Sequence, residues 1–225
     1  MKIFVIAGLF LLATLPAQAA PTVVELFQSQ GCSSCPPAIA NVNALAGRPD
    51  ILALSFGVTY WDYLGWKDTF ARSEFTNRQY DYKRGLRTGS VYTPQVVING
   101  RADLTGTNRG ELDAAIGRAM LPKDAPSLSV ASNTVTVSTA AAPAGGADVW
   151  LVRYDPRIQN VDIAAGENSG VLLPHKNIVR GLARLGSWSG AAQAYAIPAG
   201  GDPAWHSAIL VQAKNGGPIL AAAKL

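Results

Sequence analysis

An almost unbroken apolar run at residues 22–27 (TVVELF) predicts a short strand. In residues 33–46, Ile39, Val42 and Leu45 recur every three positions, the spacing of one helical face. Residues 50–58 (DILALSFGV) read as a second strand, apolar on both faces as buried parallel strands are. Residues 60–87 mix aromatic and polar positions and read as an insertion, helical from about residue 68 to about residue 84. A third strand is predicted at 95–98. Asn99-Gly100 then makes a two-residue hairpin turn into a fourth strand at 101–104. Asn108 reads as an N-cap with Glu111 three residues on. Leu112, Ala115, Ile116, Ala119 and Met120 follow on one helical face. The predicted order is β-α-β-α-β-β-α.

The texture changes at residues 121–127 (LPKDAPS). Beyond it, short alternating segments are punctuated by Gly, Pro and Asn. SLSVA and TVTVST flank a Ser132-Asn133 turn and predict a hairpin. DVWLVRY, AWHSAILVQ and PILAAAKL are further strands, with Asn215-Gly216-Gly217 as a turn. Residues 175–188 fit a helix through Ile178, Leu182 and Leu185, and a strand through the alternation at 178, 180, 182 and 184; we take the strand. About seven short strands suggest a β-sandwich. The expected organisation is therefore a first domain over 20–124 and a smaller all-β domain over 125–225.

Residues 1–19 read as a secretory leader: Lys2, an apolar stretch at 3–15, Pro16, then Ala17-Gln18-Ala19 as the small-residue cleavage site. This predicts an exported protein, periplasmic or secreted. No later segment nears the roughly 20 apolar residues of a membrane span. The formal net charge is +4, and +3 without Lys2. Lys and Arg are scattered among Asp and Glu, which argues against a nucleic-acid partner.

The chain has two cysteines, Cys32 and Cys35. They follow the first strand and open the first helix, the joint at which a thioredoxin fold carries its redox disulfide, so the first domain is expected to be α/β and thioredoxin-like. In an oxidising compartment the pair rests as a disulfide. Placed at the helix cap, Cys32 would gain thiolate character from the backbone N–H groups and act as nucleophile. Cys35 would resolve the mixed disulfide. Ser33 and Ser34 carry no charge, so an intermediate potential is expected. Pro36-Pro37 fixes the helix start, and the donor missing at Pro37 predicts a local irregularity.

Glu25, in the strand before the motif, is a candidate proton carrier for Cys35, or else a structural carboxylate paired with a nearby Arg. Pro94 in YTPQVVING is expected to be cis, bringing its loop against the disulfide and offering the backbone of Thr93 to a peptide. The candidate catalytic set is thus Cys32, Cys35, Glu25 and Pro94. Trp61 and Trp66, in TYWDYLGWKDTF, read either as core cover or, with Thr93, as the wall of a substrate groove. Asp62, Lys67 and Asp68 read as solvated or capping. His175 and His206 lack metal-ligand spacing, and no organic cofactor is implied.

VVELFQSQGCSSCPPA, LSFGVTYWDYLGWKDTF and RTGSVYTPQVVINGRAD together resemble a bacterial family of exported thioredoxin-like proteins catalogued as a domain of unknown function. VWLVRYDPRIQNVDIAAGEN and LPHKNIVRGLARLGSW are similar to its C-terminal part. The resemblance implies a thioredoxin-like fold, a redox pair at Cys32 and Cys35, and a proline loop at Pro94. Members of that family tend to carry a histidine and an acid where this chain has Gly57 and Thr59, and an acid at Ile39.

The leading expectation is a thiol–disulfide oxidoreductase acting on protein or peptide thiols, served by a redox partner protein. The alternatives are a binding module with a structural disulfide, and a copper chaperone.

Overall fold

The computed structural model describes residues 20–119 and 121–225. The predicted leader, residues 1–19, and Met120 lie outside the described residues. β1 (Thr22–Gln28) pairs parallel with β2 (Ile51–Gly57) and antiparallel with β3 (Gln95–Ile98), which turns into β4 (Ala102–Leu104). Asn99 and Gly100 form that turn with φ of +47° and +62°, the left-handed pair a primed hairpin turn requires. α1 (Pro36–Asn43) connects β1 to β2, and α2 (Ser73–Leu86) lies in the aromatic insertion. α3 (Arg109–Arg118) is capped by Asn108, whose Oδ1 accepts the Glu111 N–H at 3.2 Å.

The second half supplies β5 (Leu128–Ala131), β6 (Thr134–Val137), β7 (Ala147–Asp155), β8 (Gln159–Asp162) and β9 (Leu172–His175). It continues with β10 (Ile178–Trp188), β11 (Gln193–Ala196), β12 (His206–Ala213) and β13 (Ile219–Lys224). Residues 178–188 are thus strand.

The predicted fold class, an α/β thioredoxin-like domain followed by a separate all-β sandwich, is corrected by the sheet. The described residues hold three α-helices against thirteen strands. Eight of those strands form one mixed sheet, β13-β12-β7-β10-β2-β1-β3-β4. The two halves join where β10 runs parallel to β2, with Ile178 opposite Ser55. Ser55 N donates to Asn177 O at 3.0 Å, and Asn177 Nδ2 donates to Ala53 O at 2.8 Å. The physical reason lies in β2, every residue of which is buried. Its outer edge cannot face water with unpaired amides, so a second-half strand completes it. The change of texture at 121–127 marks a change in the covering layers and no break in the sheet.

Strand alternation sorts the side chains by face. Val23 and Phe27 point to the side where Leu52, Leu54 and Phe56 meet Phe75 and Tyr82 of α2. Val24 and Leu26 point to the opposite side, toward Cys32, Cys35, Ile39 and Val42, with Leu112 and Ile116 of α3. The β8–β9 hairpin adds Ile163 and Leu173 to that second cluster. Farther along the sheet, the three-stranded β11-β6-β5 layer covers Val149, Leu151, Ile209 and Val211.

Candidate functional site

Cys32 and Cys35 are joined in a disulfide with Cα atoms 5.4 Å apart. The helix begins three residues later than its apolar spacing predicts: Cys35 is the N-cap, and Pro36 and Pro37 occupy the first helical positions. Those positions have no intrahelical acceptor for their N–H groups, so the prolines cost the helix nothing and the predicted irregularity is not needed. Cys35 N donates to Cys32 O at 3.1 Å, and Ile39 N donates to Cys35 O at 3.0 Å. Cys32 therefore sits in the turn before the helix. Both cysteines are buried, at 1% and 0% exposure, while Ser33 and Ser34 between them are exposed.

Residues far along the chain cover the pair. Asn168 lies in the loop of the β8–β9 hairpin and is itself buried. Its Nδ2 donates to Gln30 O at 2.8 Å and to Cys32 O at 2.9 Å. The neighbouring Glu167 accepts the Ser33 N–H at 3.1 Å, and hydrogen bonding from the Ser33 side chain and then from its backbone N–H holds its carboxyl below the ordinary range. At the hairpin's other end, Asn43 of α1 donates to Pro174 O at 2.8 Å and accepts the Lys176 N–H at 3.0 Å. Glu167 and Asn168 escape a sequence reading because GEN in a polar stretch looks like an ordinary loop.

The Thr93–Pro94 peptide bond is cis. Ser34 Oγ lies 3.4 Å from Cys32 Sγ and donates to Thr93 O at 3.4 Å, so the proline loop and the motif meet through one hydroxyl. Trp61 Nε1 donates to Thr93 Oγ1 at 2.6 Å, and Trp66 Nε1 donates to Gln30 Oε1 at 2.9 Å. Both indoles thus hold side chains of residues that flank the disulfide. The aromatic ring standing in solvent is Tyr63, 78% exposed and stacked on Trp61.

Asp68 is buried at 3% exposure. It accepts the backbone N–H groups of Gln30 (2.7 Å), Phe70 (2.7 Å) and Ala71 (3.0 Å). The solvated reading of Asp68 does not hold, and its bonds close the turn at residues 68–71 ahead of α2, whose own N-cap is Arg72. Burial pushes its carboxyl up to about 6 against those bonds.

The expectation that Glu25 serves Cys35 is corrected. Glu25 lies between Val23 and Phe27 in the alternation and faces α2, on the side of the sheet away from the cysteines. There it pairs with Arg78, Nε to Oε1 at 2.7 Å, and accepts from Tyr82 Oη. Arg78 also reaches Gln212 Oε1 of β12 at 3.1 Å. Burial by itself would lower the Arg78 guanidinium, but the charge and hydrogen bond of Glu25, together with Tyr82 and Asp81, outweigh it and hold it above its ordinary value. Glu25 is the structural carboxylate of the alternative reading. Gln28, fully buried, continues the row of Val24 and Leu26 on the cysteine side.

His175 is buried against the Phe70 ring, with centroids 5.4 Å apart, and burial lowers its imidazole to about 4. His206 packs against Tyr154. Among the described residues, no three His, Cys, Asp or Glu side chains gather as a metal-ligating group, and no helix is long and apolar enough to cross a membrane.

Fold and site together define a predominantly β protein whose C-x-x-C disulfide is enclosed by a hairpin from its second half. The model of the family described as Protein of unknown function (DUF1223) matches residues 23–212, and the chain belongs to that family. The crystal structure of protein AGR_C_4864 from Agrobacterium tumefaciens is similar at 32% identity and a TM-score of 0.71, covering 93% of this chain and 96% of that one. HBP35 of Porphyromonas gingivalis shares the fold at 12% identity and a TM-score of 0.53, over 92% of this chain and 74% of that one. No curated protein matches the sequence.

Proposed function

We propose that the chain is an exported thiol–disulfide exchange protein acting on protein or peptide thiols through Cys32 and Cys35. The observation that carries this reading is the disulfide itself, formed by the chain's two cysteines three residues apart. So short a loop removes little entropy from the unfolded chain, so the bond adds little as a staple. The leader-like residues 1–19 support export, and the contact of Ser34 with Thr93 O supports a peptide path along the proline loop.

In the reductive half, a partner thiolate attacks Cys32 Sγ. The Cys32–Cys35 bond breaks and its electron pair leaves on Cys35 Sγ, which takes a proton from water. A second partner thiolate attacks the partner sulfur of the mixed disulfide and releases Cys32 Sγ, which is protonated in turn. Two electrons and two protons pass to the pair, and the partner is left as a disulfide.

The burial of both sulfur-bearing residues favours a second reading, a binding module whose disulfide is structural. The two separate in one experiment. The native protein is treated with dithiothreitol, alkylated and weighed intact, with and without denaturant. Exchange predicts that both thiols are labelled in the native state. Labelling only after unfolding would favour the structural disulfide.

A further inference from the structure

We infer that the carboxylate of Glu167 is an electrostatic brake on the Cys32 thiolate, holding the reduction potential of the pair low. The inference rests on the exchange reading above and adds its direction.

The Ser33 N–H is the first backbone donor after Cys32, and a Cys32 thiolate would draw on it for stabilisation. In the oxidised protein that donor is given to Glu167 Oε2 at 3.1 Å, across 134 residues of sequence. The placement is built rather than incidental. Asn168, the next residue, is buried and grips the Gln30 and Cys32 carbonyls, so the Glu167 backbone is fixed relative to the motif. Ile163 and Leu173, at the two ends of the same loop, pack in one cluster with the cysteines.

The other charged group bonded to this turn is also an acid, Asp68, on the Gln30 N–H. Among the described residues, no Lys, Arg or His side chain is hydrogen-bonded to residues 30–35. A new negative charge on Cys32 would therefore arise one peptide unit from a carboxylate, with the Ser33 N–H engaged by Glu167 and the Ser34 hydroxyl, 3.4 Å from Cys32 Sγ, shared with Thr93 O. Both effects disfavour the thiolate. A disfavoured thiolate leaves the disulfide as the preferred form, so a pair with this neighbour sits toward the reducing end of the scale. Its natural partner is then a strong dithiol reductant when the pair is oxidised, or a substrate disulfide once it is reduced.

The test compares wild type with Glu167→Gln, which keeps an oxygen for the Ser33 N–H and removes the charge. Each protein is equilibrated with dithiothreitol redox buffers, in which one buffer dithiol is oxidised for each protein disulfide reduced. The products are quenched by alkylation and weighed, and the Cys32 pKa is read from the pH dependence of alkylation. Expected are a lower Cys32 pKa in the variant and a threefold to tenfold shift toward the dithiol form. Tenfold corresponds to about 30 mV. Because Glu167 is exposed, the shift should shrink at high salt. An unchanged equilibrium in a wild type that does exchange overturns the brake and leaves the exchange reading standing. A shift insensitive to salt also overturns it, since the effect would then be structural. A wild-type pair that never equilibrates in the native state overturns the exchange reading, and this inference with it.

Discussion

Asn168 donates its side-chain amide to the carbonyl oxygen of Cys32 at 2.9 Å, from 136 residues along the chain. One side chain ties the hairpin of the second half to the turn that carries the disulfide. That tie and the apolar ends of the same loop add to the cover that β1, α1 and α3 give both cysteines.

Asn168→Ala removes the partners of two buried carbonyls. Leaving such groups unsatisfied costs about 1–3 kcal/mol. The loop should also lift more often, so native reduction by dithiothreitol should accelerate by roughly the same free energy, about tenfold. Urea unfolding and stopped reduction time courses read the two effects separately. Destabilisation without faster reduction would show that the loop does not limit access.

The buried pair of Glu25 and Arg78 predicts a different signature. Glu25→Gln leaves the Arg78 guanidinium buried without its counter-charge, a loss of about 3–5 kcal/mol. Because Glu25 faces α2 and the cysteines lie on the other face, the redox equilibrium of the folded variant should stay at its wild-type value. A shift in that equilibrium would return Glu25 to the site.

Two buried groups oppose one another in the pH dependence of stability. His175 has its pKa lowered from 6.5 to about 4 by burial, so the unfolded chain binds more protons between those values. Its contribution is present above pH 6.5 and is lost as pH falls toward 4, by roughly 3 kcal/mol in all. Asp68 has its pKa raised from 3.8 to about 6, so there the folded chain binds more protons. Its contribution grows as pH falls from 6 toward 3.8, also by roughly 3 kcal/mol. The two should nearly cancel. In Asp68→Asn, stability should fall steeply from pH 6.5 to pH 4; in His175→Phe it should rise over that window. Urea midpoints across the window check both signs, and a flat profile in both variants would contradict the assignment.

What the sequence disclosed was local. Asn108 with Glu111 and the Asn99-Gly100 turn are set by neighbours a few positions apart, so spacing reveals them, whereas over residues 175–188 spacing left helix and strand both open. The pairing of Ile178 with Ser55 is not local: an all-apolar β2 declares that both its edges are covered and says nothing of what covers them. A single continuous sheet was therefore hidden behind a real change of texture. In the site, the cysteines and Pro94 are legible because each residue type is rare and constrained. Asn168 and Glu167 are invisible because Asn and Glu in a loop are ordinary until the hairpin folds back. The face of Glu25 was within reach. Counting the alternation from Val24 and Leu26 puts it on the other side of β1, away from the cysteines.

The measurement that bears most directly on the central claim is capture of a mixed disulfide. Reduced Cys35→Ser protein is mixed with a disulfide-bonded peptide and weighed intact under native conditions. The thiolate of Cys32 should attack one peptide sulfur, expel the other as thiolate, and hold the peptide as a stable adduct that Cys32→Ser cannot form. Were no adduct to form, while the wild-type disulfide resists dithiothreitol until the protein unfolds, the Cys32–Cys35 bond would be structural and the exchange account wrong.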